Sequence, residues 1–283
     1  MSKYSLIALD VDGTALNDDK YLLPGTIEAI NDALDAGVEV IFCSGRSPAE
    51  MRDYFAFFPK MHYFVGECGG LIYDLKNEKP LFCARFEEEC WRAVVEVAGR
   101  HDTMPGVYHN GQIYFNRDQI GKLAEYGQAL YVRTLPPASK LMDDVLDEAV
   151  MSRCGTEKFC IFHRSGEERE KSYQDLLSCG LPLTMALYAE TSLEVQPFGI
   201  DKGSALENFA SLIGIDLSET VMVGDSNNDL PALETAGFSV AMGNSPDEIK
   251  RKCDLTVADN NNGGCEEAIR AVLDRNAQAG KKE

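Results

Sequence analysis

Two carboxylates two residues apart open the chemistry of this chain, in Asp10-Val11-Asp12-Gly13-Thr14. They follow the short apolar run Leu6-Ile7-Ala8-Leu9, which reads as a buried strand, so both stand just beyond a strand end. Carboxylates so placed can converge on one reacting centre, and a glycine beside them lets backbone approach an anion closely. The same residues also suit a plain acidic turn. A second place is Ser44-Gly45-Arg46, after the apolar run Val38 to Cys43. A hydroxyl, a flexible backbone amide and the start of the next helix fit phosphate oxygens, or form a simple loop and cap. The third is Lys202 in Asp201-Lys202-Gly203-Ser204, at a helix start. A cation is unfavourable at that end of the helix dipole, so an anion should lie nearby unless the lysine is solvated. The fourth is Gly224-Asp225-Ser226-Asn227-Asn228-Asp229. Asp225 and Asp229 are four apart and would share a face on the first turn of a helix. Carboxylates and an amide there are hard oxygen ligands for magnesium, or a helix start favoured by the dipole.

Taken together, these four places constrain one another. Asp10, Asp12, Asp225 and Asp229 in one crevice would repel unless cations sat among them, and Mg2+ and Lys202 supply that charge. The whole chain poses the same problem: 46 acidic against 27 basic residues leave a formal charge of −19. Nucleic acid and anionic membrane are therefore excluded as expected partners, and a phosphate ester needs local cations to approach.

Strand, helix, strand, helix alternation positions all four places. Thr26 is expected to cap a helix bearing Ile27, Ile30 and Leu34 and ended by Gly37. Ser47-Pro48-Ala49-Glu50 fits a capping box after the second strand, and Tyr63-Phe64-Val65 is a third strand. Near the other end, a helix from Lys202 carries Leu206, Phe209 and Leu212. Val221-Met222-Val223 then leads to Gly224-Asp225, a helix with Leu230 and Leu233 stops at Gly237, and Phe238 to Met242 is a strand. The expected fold is α/β: a doubly wound, Rossmann-like parallel-sheet core whose ligands bind beyond the carboxyl ends of the strands.

The middle reads differently. A helix with Trp91, Val94, Val95, Val97 and Ala98 precedes hairpin alternation from Val107 to Phe115, with Asn110-Gly111 at the turn. Phe159 to Phe162 and Ser192 to Val195 are further strands. Residues 84–196 are therefore read as an α+β unit inserted into a core made of 1–83 and 197–283. No internal repeat or apolar run of membrane-spanning length occurs, and the tail Lys281-Lys282 is expected to fray. The apolar run near the N-terminus ends in Asp10 with no small-residue cleavage site, which makes a poor signal peptide. Nine scattered cysteines with no C-x-x-C pair indicate neither zinc site nor disulfide framework. The expectation is a soluble, cytoplasmic protein of unspecified oligomeric state.

The four motifs, D-x-D-G-T, a hydroxyl before Gly-Arg, a lysine, and G-D-x-x-N-D, stand in an order that resembles the haloacid dehalogenase superfamily. The long insertion resembles the α/β cap of its Cof-like phosphatase branch, and Val195-Gln196-Pro197 leading to Asp201-Lys202-Gly203 resembles that branch's approach to the lysine motif. The resemblance implies a magnesium-dependent phosphatase acting on a small phosphorylated metabolite, such as a sugar phosphate, through an aspartyl-phosphate intermediate. By the same resemblance Asp10 is the nucleophile and Asp12 the general acid and base. Magnesium falls to the Asp10 side chain, the Asp12 carbonyl and Asp225, with Asp229 holding the metal shell. Ser44, Gly45, Lys202 and Asn228 hold the phosphoryl group. Ser44 replaces the usual threonine, Cys68 stands where the branch has asparagine, and Gly263-Gly264-Cys265 stands near a usual Asp-Gly-Val. A phosphomutase on the same core and a non-catalytic binding protein are the competing readings. Tyr108, His109, Arg117, Lys122, Arg133, Arg153 and His163 are the insertion's candidate substrate contacts, each equally a solvated surface group.

Overall fold

Leu6–Leu9 carries no polar side chain and is wholly buried, so it can only be a central strand. A computed structural model of the chain describes residues 4–147 and 155–280. Arg153, Cys154 and the Lys281-Lys282 tail lie outside them. Along the chain come β1 (Leu6–Leu9), α1 (Pro24–Asp35), β2 (Glu39–Cys43), α2 (Pro48–Phe55), β3 (Tyr63–Gly66) and β4 (Leu71–Asp74). Then follow β5 (Lys79–Cys83), α3 (Glu88–Arg100), β6 (Thr103–His109), β7 (Gln112–Asn116), α4 (Leu135–Ala138) and β8 (Ser139–Met142). Next are β9 (Lys158–His163), α5 (Gly166–Ser178), β10 (Leu183–Ala189) and β11 (Ser192–Pro197). The last elements are α6 (Lys202–Ile213), β12 (Thr220–Gly224), α7 (Leu230–Thr235), β13 (Phe238–Ala241), α8 (Asp247–Lys250), β14 (Leu255–Thr256) and α9 (Gly264–Ala279).

The chain forms two compact units: Met1–Gly45, Arg52–Lys79 and Asp201–Glu283 make one, and Arg46–Met51 with Pro80–Ile200 make the other. The second unit starts and ends a few residues outside 84 and 196. No sequence pattern assigns Arg46–Met51 to it.

In the first unit the strands run β14-β13-β12-β1-β2-β3-β4. All neighbours are parallel except β3 and β4. This is the doubly wound α/β sheet that the alternation predicts. Leu9 aligns with Phe42 on one side and with Val223 on the other. Asp10, Ser44 and Asp225 therefore leave the sheet within two residues of one another, at the same edge.

Three local expectations are corrected. Leu23 and not Thr26 is the N-cap of α1, because Pro24 fits the first helical position; Thr26 is buried inside the helix. Leu212 is 54% exposed, since the buried face of α6 runs through Leu206, Phe209 and Ala210. At Ser47 the capping box is half made. Glu50 accepts from the Ser47 amide at 2.8 Å, but the Ser47 hydroxyl also donates to Glu50 instead of accepting from its amide.

The second unit holds a six-stranded sheet ordered β10-β11-β9-β6-β7-β8. Asn110 and Gly111, at φ 49° and 74°, turn β6 into β7 as a two-residue hairpin requires. Phe159 and Ile161 pack under α3 and α5 with Trp91, Val94 and Leu176. Cys160 and Phe162 alternate to the other face, against Phe115, Leu123 and Tyr126. His163 is fully buried, its ring nitrogens against the Ser172 hydroxyl at 2.8 Å and the Thr191 carbonyl at 3.2 Å. Tyr108 is buried beside Lys158, so neither is a solvated surface group. His109 is tied to the Gly155 carbonyl, while Arg117, Lys122 and Arg133 are exposed.

Glycine is required at a close approach in the first unit. At Gly69, φ is +99° and a Cβ would meet the Asp201 carbonyl oxygen at 2.3 Å, just before α6. At Gly37, φ is +79° with nothing within 4 Å. Gly69→Ala is expected to cost about 3 kcal/mol, strain plus overpacking, and Gly37→Ala about 1 kcal/mol, strain alone. Urea unfolding of the two variants checks this, and equal losses would contradict the packing account.

Candidate active site

Lys202 is the first residue of α6, and its side chain is fully buried. Its position is fixed by the turn before it. Asp201 accepts from the Ser204 amide at 2.8 Å, and the Ser204 hydroxyl accepts from the Asp201 amide at 3.1 Å, a complete capping box. The ammonium donates to Asp10 Oδ1 at 2.6 Å and to Asp229 Oδ1 at 2.5 Å. The anion that a lysine at a helix start calls for is thus a pair of carboxylates from two other segments.

Asp229 is not on a shared helical turn with Asp225. It is the N-cap of α7, and Asp225 lies in the loop before it. The two converge because Asp229 Oδ2 accepts from the backbone amides of Asp225 and Ser226, each at 3.0 Å. Asp229 therefore folds the loop with one oxygen and binds Lys202 with the other. Asn228 is tied into this loop, its side-chain carbonyl accepting from the Ser226 hydroxyl at 2.6 Å.

Asp10, Asp225 and Asp229 bring one carboxylate oxygen each within 4.8 Å of one another. Burial raises the Asp10 carboxyl well above its ordinary range; the Asp229 charge adds to this and Lys202 opposes it. Burial, with the Asp229 charge, pushes Asp225 up to about 6. Burial disfavours charge on Lys202 too, but Asp10 and Asp229 outweigh it and hold the ammonium raised. Three converging acids against one lysine form a hard-oxygen site short of positive charge, which fits a magnesium ion. Gly13, at φ +86°, admits Asp225 here: a Cβ would lie 2.6 Å from its Oδ2.

The Asp12 side chain is outside this cluster. Its Oδ1 accepts from Lys20 Nζ at 2.8 Å. Ser44 is buried and held at the strand end by its own backbone, donating to the Val65 carbonyl and accepting from the Cys68 amide, both at 2.9 Å. Gly45 follows it in the same unit.

Sequence reasoning gave no role to three residues that organise the site. Thr14 donates to Asp225 at 3.3 Å. Asn244 donates to Asp225 at 3.2 Å and to the Gly13 carbonyl at 2.9 Å, tying the first and fourth places together. Its signal was available, a polar residue just past the Phe238 to Met242 strand. Lys20 carries no such signal.

A family model described as haloacid dehalogenase-like hydrolase matches residues 7–269. The chain belongs to the haloacid dehalogenase-like hydrolase family. It is similar to the pyridoxal phosphate phosphatase of Escherichia coli, at 24% identity over 90% of this chain and 93% of that one. It is equally similar to the 5-amino-6-(5-phospho-D-ribitylamino)uracil phosphatase of Bacillus subtilis, at 24% identity over 94% of each. A haloacid dehalogenase-like hydrolase from Bacteroides thetaiotaomicron shares its fold, with a TM-score of 0.83, 22% identity and coverage of 95% and 100%. With such relatives along nearly its full length, this member of the family is a phosphatase. Among the described residues, no helix is long and apolar enough to cross a membrane.

Removing the ammonium should leave two buried carboxylates uncompensated. Lys202→Met is expected to lose about 3 kcal/mol or more in magnesium-free buffer at mildly alkaline pH, with part recovered on adding magnesium. Denaturant unfolding with and without the ion measures both. A loss that magnesium leaves untouched would show that Lys202 and the ion do not share the cluster.

Proposed function

We propose that this haloacid dehalogenase-like hydrolase is a magnesium-dependent phosphomonoesterase that acts on a small phosphorylated metabolite through an aspartyl phosphate on Asp10. The observation that carries the reading is the convergence of the Asp10, Asp225 and Asp229 carboxylates beyond the carboxyl ends of parallel strands, with one buried lysine bridging Asp10 and Asp229. The phosphatases of pyridoxal phosphate and of 5-amino-6-(5-phospho-D-ribitylamino)uracil support small organic phosphates as the substrate class.

The Asp10 and Asp225 carboxylates and the Asp12 carbonyl would hold magnesium, with Asp229 shaping the shell. When bound, the ion neutralises charge on the phosphoryl oxygens. Lys202, Ser44, Gly45 and Asn228 orient those oxygens around Asp10. Asp10 attacks phosphorus, forming a carboxylate oxygen–phosphorus bond as the bond to the leaving oxygen breaks. Asp12 gives that oxygen a proton. Asp12 then takes a proton from water as water attacks phosphorus, which frees Asp10 and inorganic phosphate. Residues 84–196 would form the cap that selects the organic part of the substrate, because no motif among the four lies within them. The cytoplasm is the proposed compartment.

Asp10→Asn keeps the shape of the side chain but removes the nucleophile. It is expected to lower kcat by at least about a thousandfold in a folded protein, read as phosphate release from a panel of phosphorylated metabolites. Exhaustive chelation should abolish activity and magnesium should restore it. Calcium, which takes more ligands at longer distances, should inhibit. Full turnover by Asp10→Asn, or after chelation, would refute the mechanism.

A further inference from the structure

The turn after the first motif is built around one lysine. Lys20 has φ 65°, a left-handed conformation that residues with a side chain adopt rarely. The turn is closed by the Lys20 amide donating to the Asn17 carbonyl at 2.9 Å and the Tyr21 amide donating to Asn17 Oδ1 at 2.8 Å. It is also pinned from two sides. The Tyr54 hydroxyl donates to the Lys20 carbonyl at 2.9 Å, and Asn260 donates to the Leu16 carbonyl at 3.1 Å and to Asp18 Oδ1 at 3.0 Å. The result places the Lys20 ammonium 2.8 Å from Asp12, with side chains 22% and 12% exposed.

We propose that Lys20 is a positioning residue that fixes the Asp12 side chain, protonated when the ester bond breaks and ionised until water returns the proton, for proton transfer to the leaving group. This rests on the reading of Asp12 as general acid and base. Asp12 stands two residues from Asp10, beside a site that draws cations, yet its side chain is not among the clustered carboxylates. Lys20 gives that carboxylate a fixed partner on its own loop. A left-handed backbone at a residue with a long side chain is explained when that side chain has a site to reach. Lys20 transfers no proton itself; the proton passes from Asp12 to the departing oxygen as the phosphorus–oxygen bond breaks.

Leaving groups of different quality provide the test. The rate constant kcat/KM reports only steps up to phosphoryl transfer. Para-nitrophenol leaves without a proton, whereas phenol requires one. Lys20→Met is therefore expected to lower kcat/KM for phenyl phosphate by about tenfold or more, and for para-nitrophenyl phosphate by less than about threefold. Lys20→Arg should restore most of the loss. Lys20→Gly relaxes the left-handed backbone while removing the amine, so it should fold at least as well and show the same bias. Equal losses on both substrates, or none, would overturn the proposal by assigning Lys20 a structural role in the loop. Asp12→Asn in the same assay separates the two levels. If it shows the leaving-group bias and the Lys20 variants do not, Lys20 alone is misassigned. If Asp12→Asn shows no bias, the acid–base reading falls and the proposal with it.

Discussion

A buried ammonium shared by Asp10 and Asp229 is the constraint on which the first unit depends. Burying one charge without a partner is prohibitive, and burying three is tolerable only if their geometry is fixed. Lys202 can meet both carboxylates only if α6 begins close to the ends of β1 and β12. Two glycines permit that approach. A Cβ at Gly203 would press on the Pro231 backbone at 2.8 Å, and one at Gly224 would lie 2.6 Å from Asp229 Cβ. The close packing of α6 against α7, and of the Asp225 loop against its own helix, therefore follows from the need to surround one lysine.

The same constraint leaves a deliberate imbalance. Lys202 compensates part of the charge of Asp10, Asp225 and Asp229, and burial, with the Asp229 charge added to it, raises the Asp10 and Asp225 carboxyls. A site that were only structural would gain by replacing an acid with an apolar residue of similar size. Retaining three buried or half-buried acids at a strand-end crevice is costly to the fold. It is useful where a divalent cation completes the charge balance.

The sheet and most of the site were legible in the sequence because each depends on local pattern. The apolar runs of β1, β2 and β12 could not be other than buried strands, and the first, second and fourth motifs fell at their ends while the third opened a helix. The hairpin at Asn110-Gly111 was legible for the same reason, since its dihedrals demand those residues. Spacing misled where the chain departs from regular structure. Asp225 and Asp229 looked like helical neighbours at four residues apart, but Asp229 gathers the Asp225 and Ser226 amides and holds the segment as a turn. Asn244 was marked only by its place just past a strand and Lys20 by nothing, and the role of neither follows from a period or a motif. Each depends on where a loop returns in space, and hydrogen bonds from residues as distant as Tyr54 and Asn260 set that return for Lys20.

Asp10 and Asp12 show how one strand end separates two identical side chains. In a continuing strand, residues two apart would face the same way. Here β1 stops at Leu9 and Val11 already lies in a turn, so the two carboxylates enter different surroundings. Asp10 is buried against Lys202 and two further acids. Asp12 sits at the rim of the unit, paired with a partly exposed Lys20. A nucleophile benefits from a dry, fixed setting, because its attack depends on alignment and on electrostatics that water would weaken. A group that passes protons must reach both the leaving oxygen and water, and it needs a partner that orients it without enclosing it. In the proposed mechanism these chemically identical carboxylates take different roles because their environments differ in this way, and the difference is set within three residues of the end of a single strand.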